Sequence, residues 1–146
     1  MIGIIIVAHG DLAKSLKSAV EHVVGKQENI KAICINPNDN MDARRQNVIE
    51  AIDELDTGSG VIILTDLFGG TPSNMAIGAL GIRNAEVIAG VNLPMLVKLV
   101  SVRSTKSVKE AVQMAQNAGR KYIHVASSIL DGEISNDDLD EITLAG

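Results

Sequence analysis

Short apolar runs alternate with helix-patterned segments along this chain, and that alternation leaves few folds open. The runs are 2–8, Ile30–Ile35, 60–65 and Ala85–Ala89, all rich in Ile, Val, Leu or Ala. The first, Ile2 to Ala8, carries no polar side chain at all, which predicts a strand buried on both faces, as in a parallel sheet. The intervening segments carry helical signals. Asp11 precedes Leu12–Val24, where Leu12, Leu16, Ala19, Val20 and Val23 recur at helical spacing and Gly25 supplies a stop; Asp11 is the expected N-cap. Met41–Leu55 reads as a second helix, stopped near Gly58. Thr71-Pro72 opens a third, with Thr71 as N-cap and Pro72 at the first helical position. A short helix is expected over 94–102, and a clearer one over 107–118, capped by Ser107 and stopped by Gly119.

Strands separated by helices of this length imply right-handed crossovers and a doubly wound, three-layer αβα sandwich. Its mainly parallel sheet should run in the order 2-1-3-4. The segment 121–129 is β-rich and alternates loosely, so it reads as a fifth, edge strand. With 146 residues the chain fits one domain, placed at 1–130. The acidic remainder, 131–146, reads as a weakly ordered tail.

The first strand stops at His9, followed by Gly10 and a helix start, and the third stops at Asp66. In the order 2-1-3-4 these two strands are neighbours, and the direction of winding reverses between them. Ligands bind at such a switch point. After Asp66 the chain reads Leu67-Phe68-Gly69-Gly70-Thr71-Pro72-Ser73-Asn74. Two glycines and a helix start can turn several N–H groups toward one point and hold an anion without a lysine. A histidine beside a carboxylate, facing an anion pocket, suggests phosphohistidine chemistry. Asp66 would bond one ring nitrogen, fix the tautomer and leave the other nitrogen nucleophilic. Gly10, Gly69, Gly70 and Thr71 are the candidate phosphoryl-binding residues.

Other chemistries lose ground. There is no Gly-x-x-x-x-Gly-Lys-Ser/Thr and no Gly-x-Gly-x-x-Gly after the first strand, and no His/Cys cluster has metal-ligand spacing. No cofactor is implied. The net charge is −5, and residues 131–146 hold six acidic residues with no Lys or Arg, which leaves +1 for the first 130. A near-neutral body with 1% aromatic residues offers neither a basic face nor stacking platforms for nucleic acid. The single cysteine, Cys34, lies in an apolar run and reads as a buried thiol, which suits a reducing cytoplasm. The 2–8 run is too short to span a bilayer and lacks a basic n-region, so a cytoplasmic protein is expected. His22 reads as a surface residue, and His124 as packing. Asn92-Leu93-Pro94-Met95, after the fourth strand, is placed at the rim of the same crevice.

These motifs resemble the enzyme IIA component of the mannose family of the bacterial phosphoenolpyruvate-dependent sugar phosphotransferase system. The likeness runs over about residues 1–120. It is carried by His9-Gly10, Val24-Gly25-x-Gln27-Glu28, Asp66 to Pro72, and Val87-Ile88-Ala89-Gly90-Val91-Asn92-Leu93-Pro94-Met95. The resemblance implies that His9 accepts a phosphoryl group from the phosphocarrier HPr and passes it to a histidine of enzyme IIB, with Asp66 as its orienting partner. Contact with the membrane would be indirect, through the transporter complex. The resemblance also implies a homodimer in which the last strand, 121–129, is exchanged. Many relatives continue into a fused IIB domain; here a stand-alone IIA is expected. A regulatory phosphorelay, the phosphotransfer subunit of a dihydroxyacetone kinase and a flavodoxin-like binding module are the alternative readings.

Overall fold

The computed structural model describes residues 1–131 apart from Phe68, Ala79 and Ile82. Ten elements follow in the order β1 (Gly3–His9), α1 (Leu12–Val24), β2 (Ile30–Ile35), α2 (Met41–Leu55), β3 (Val61–Thr65), α3 (Thr71–Ile77), β4 (Ala85–Ala89), α4 (Leu93–Val102), α5 (Val108–Lys121) and α6 (Ala126–Leu130). The four strands form one parallel sheet in the order β2-β1-β3-β4. The αβα sandwich and its 2-1-3-4 sheet are thus as the sequence predicts.

Alternation along the strands splits the core in two. Ile2, Ile4, Ile6 and Ala8 point to one face and pack with Ala13 and Val20 of α1, Leu96 and Leu99 of α4, and Ala111 and Ala115 of α5. Ile5 and Val7 point to the other, against Val48, Ala51 and Ile52 of α2 and Met75 and Ala76 of α3. Ile2 and all of Ile4 to Ala8 are fully buried. Each such Ile contributes roughly 1.5–3 kcal/mol relative to exposure, so β1 is firmly anchored in the sheet. Its last residue, His9, is the first to leave the core, and the burial pattern of β1 switches from buried to exposed at that position.

Three helix ends differ from expectation. Asp11 sits at the N-cap position of α1 but makes no side-chain capping bond. The N-cap of α3 is Gly70, not Thr71, which instead opens the helix just before Pro72. Helix α5 does not stop at Gly119. It continues to Lys121, where Arg120 and Lys121 complement the negative end of the helix dipole. Gly119 serves close packing there, since a Cβ on it would stand 2.8 Å from the Cε of Met95. At the start of α5, Ser107 and Glu110 form the complete capping box.

The fifth strand expected over 121–129 is absent. Lys121 ends α5, and Ala126–Leu130 forms the short helix α6. Ile123 and Val125, whose alternation suggested a strand, stand 73% and 65% exposed. A strand exists only as a pairing partner, and among the described residues no strand pairs with this segment. Of the expected acidic tail, only Asp131 falls within the described residues. Cys34 is half-buried rather than buried. Among the described residues no helix is long and apolar enough to cross a membrane.

Candidate active site at the ends of β1 and β3

The parallel register Val7↔Thr65 brings the C-terminal ends of β1 and β3 side by side, so His9 and Asp66 each emerge just past the last paired residues of the two strands. Asp66 Oδ2 accepts two hydrogen bonds from His9. One comes from the backbone N–H at 3.0 Å, the other from ring Nδ1 at 2.9 Å. The His9 side chain is 51% exposed and that of Asp66 only 14%. Burial of the carboxyl raises its pKa, but the backbone and ring hydrogen bonds from His9, with the charge of the ring, outweigh burial and hold Asp66 below its ordinary value. Asp66 is therefore ionised at neutral pH and acts only as an acceptor, which places a proton on Nδ1. In the neutral ring Nε2 then carries the free lone pair. The other carboxylate oxygen, Oδ1, is buried and has no partner among the described residues.

The Cε1–Nε2 edge of the His9 ring lies against the glycine turn after β3. A Cβ built on Gly70 would stand 3.2 Å from the Cε1 of His9 and 3.7 Å from its Nε2. A side chain at position 70 would crowd the ring, and glycine leaves the backbone room to stand close to it. Gly69, just before it, holds φ +86°, a conformation open to glycine and strained for others. The turn is tied by Ser73, whose Oγ accepts the Gly69 N–H at 2.9 Å and donates to the Gly70 carbonyl at 2.9 Å. Ser73 is fully buried.

The structure thus brings His9, Asp66 and Gly70 together, while Gly10, Gly69 and Thr71 adjoin them along the chain and not all are free as donors. The Gly10 N–H is engaged by the carbonyl of Ile35 at 2.8 Å, and that of Gly69 by Ser73. Among the described residues, the N–H groups of Gly70 and Thr71 have no such partner. The exposed side chains of Leu12 and Leu67, 43% and 58% exposed, flank the histidine in sequence on one side and the aspartate on the other. Leu67 also lies against the turn, its Cδ2 3.8 Å from the Cβ position of Gly70.

Other sequence candidates take structural roles. His22 is exposed, and His124 stacks edge-on against Tyr122 at 6.2 Å. Asn92 caps α4 by accepting from the N–H of Met95 and donating to the carbonyl of Gly119. Met95 is buried in the core rather than exposed at a rim. Ser73 escaped the sequence reading; its signal is a hydroxyl at the third helical position directly after a Gly-Gly pair, from where it reaches back over the helix start.

The family model described as PTS system fructose IIA component (EIIA-man) matches residues 3–116. The chain belongs to this family. The EIIA-man chain is 37% identical over 124 residues to the PTS system mannose-specific EIIAB component of Escherichia coli (strain K12), covering 84% of this chain and 38% of that protein. It therefore spans about four-tenths the length of that relative. It is 31% identical over 136 residues to the PTS system sorbose-specific EIIA component of Lacticaseibacillus casei, covering 92% of this chain and 98% of that one. In three dimensions this EIIA-man protein is similar to the phosphotransferase system component EIIA from Streptococcus agalactiae. The TM-score is 0.80 at 28% identity, over 88% of this chain and 99% of that chain.

Proposed function

We propose that this EIIA-man protein is a phosphohistidine carrier, with His9 Nε2 as the atom that holds the phosphoryl group. The observation that carries this reading is the locked, half-exposed ring. Nδ1 is fixed by an ionised carboxylate, and the ring edge that carries Nε2 lies beside the Gly70 turn. The lone pair of Nε2 attacks the phosphorus of an incoming phosphohistidine. The N–P bond of the donor breaks, and its ring nitrogen leaves with the electron pair. The new N–P bond leaves positive charge on the His9 ring, which the Asp66 carboxylate stabilises through Nδ1–H. The N–H groups of Gly70 and Thr71, with the Thr71 hydroxyl, are the donors for the phosphoryl oxygens; Gly10 and Gly69 shape the backbone around them.

The donor is phospho-HPr and the acceptor enzyme IIB, in a pathway of sugar uptake. A protein partner fits the site, because the histidine lies open and is bordered by exposed Leu12 and Leu67. Exposed apolar side chains beside a reactive group suit a docking protein more than an enclosed small molecule. Homodimer formation belongs to the same proposal.

The test is labelling. Incubation with phosphoenolpyruvate, enzyme I and HPr should place one acid-labile phosphate on the chain, and His9→Ala should carry none. Full labelling of that variant would rule the reading out.

A further inference from the structure

We infer that Ser73 is a positioning residue for phosphoryl transfer at His9, setting which backbone N–H groups meet the phosphoryl oxygens. The inference rests on the carrier reading above. Ser73 lies at the third position of α3, and its side chain is fully buried. A serine hydroxyl has one proton to donate, and here it goes to the Gly70 carbonyl, while a lone pair takes the Gly69 N–H. The Gly70 carbonyl also accepts the Asn74 N–H at 3.0 Å, the first bond of the helix.

The two bonds do separate things. The bond from Gly69 withholds one N–H from the anion and pins that glycine at φ +86°. The bond to the Gly70 carbonyl fixes the orientation of the peptide that follows it, and the N–H of that peptide belongs to Thr71. Gly70 is also the residue that stands against Cε1 and Nε2 of His9. Ser73 itself is sealed from the site, so it acts only through the turn. Without its hydroxyl, the Gly69 N–H loses its acceptor and the Gly70 carbonyl keeps only the Asn74 N–H, so the turn beside Nε2 is held less tightly. Phosphoryl transfer depends mostly on such positioning. Substrate docking, by contrast, uses the outer surface, which Ser73 does not reach.

The experiment is steady-state transfer from phospho-HPr to Ser73→Ala, alongside the unaltered chain and His9→Ala. The maximal rate should fall at least about tenfold, while the KM for phospho-HPr stays within about twofold. The amide exchange of the unaltered protein is the second measurement. The Gly69 N–H should be protected, and those of Gly70 and Thr71 should exchange freely. A Ser73→Ala variant that transfers at the unaltered rate, or whose loss lies wholly in KM, overturns the inference. So does an unprotected Gly69 amide, which decides the matter even where the alanine variant fails to fold. Absence of phosphate on the unaltered chain would instead overturn the carrier reading and leave the amide-exchange result to judge the turn.

Discussion

The two ends of this parallel sheet are built on opposite terms. At the N-terminal end, Arg103 follows α4 and is 2% exposed, yet it faces no carboxylate within ion-pair distance among the described residues. Its guanidinium donates to the carbonyl of Asn29 at 3.2 Å, the side-chain carbonyl of Gln27 at 3.0 Å and the carbonyl of Glu28 at 2.6 Å. Its own carbonyl accepts the N–H of Ile2. Asn29 in turn bonds the N–H of Ile4 through its carbonyl and donates its amide to Leu55. The two terminal nitrogens of the guanidinium and the carbonyls around them are thus hydrogen-bonded. At the C-terminal end, by contrast, His9 is half-exposed, Asp66 Oδ1 is buried without a partner among the described residues, and Gly69 sits at positive φ. One end closes the fold, and the other keeps unfilled hydrogen-bonding capacity, which suits the carrier role proposed above.

Mutations should separate the two ends cleanly. Arg103→Ala takes the donor from the Gln27 side chain and the Glu28 carbonyl, leaves the Asn29 carbonyl with the Ile4 N–H alone, and opens a void where a buried side chain stood. It should cost about 3 kcal/mol, a fall in melting temperature of roughly 6–12 °C. The phosphorylation rate per folded molecule should be unchanged. Loss of transfer in a variant that remains folded would show that the two ends are coupled. Asp66→Asn reverses the pattern. The amide can no longer fix and stabilise a ring charge, so transfer should slow by roughly 10–100-fold, while thermal melting shifts by only a few degrees. Unchanged transfer would show that Asp66 does not orient the ring.

The smallest effect is in acid. The folded-state pKa of Asp66 lies below its ordinary value, so its hydrogen bonds to His9 stabilise the fold above the unfolded pKa. That contribution disappears as pH falls through the folded value, below about pH 4. Asp66→Asn should therefore flatten a small acid-side slope in stability measured by denaturant midpoint against pH. An identical slope in both proteins would show that the carboxylate contributes nothing to the fold. Arg103, being cationic throughout, should leave no trace in the same titration.

The sequence was most readable where a turn signal bounded an apolar run. Ile30–Ile35, Met41–Leu55 and Ala85–Ala89 appear in the structure with the predicted bounds. The His9–Asp66 pair was legible because strand order alone makes the two chain ends neighbours. Local caps shifted by a residue at α3, since Gly and Thr both suit an N-cap and only tertiary packing chooses. The 121–129 segment misled because alternation signals a strand only when an edge is there to receive it. Arg103 was invisible for another reason. Its partners lie 74 to 76 residues away, so no window of sequence contains the contact. The Gly25-x-Gln27-Glu28 motif, noted for its family likeness, turns out to belong to this distant clasp rather than to the chemistry.

One oxygen of Asp66 holds both the backbone and the ring of His9. The ring therefore cannot turn over to offer its other nitrogen without giving up a bond to the same atom. On the carrier role proposed above, a phosphoryl group would arrive at, and depart from, a single ring nitrogen. Each in-line passage inverts the configuration at phosphorus, and two passages through one atom restore it. With a chirally labelled phosphate, the protein would be stereochemically silent, visible in the rate of the relay but not in the handedness of what it delivers.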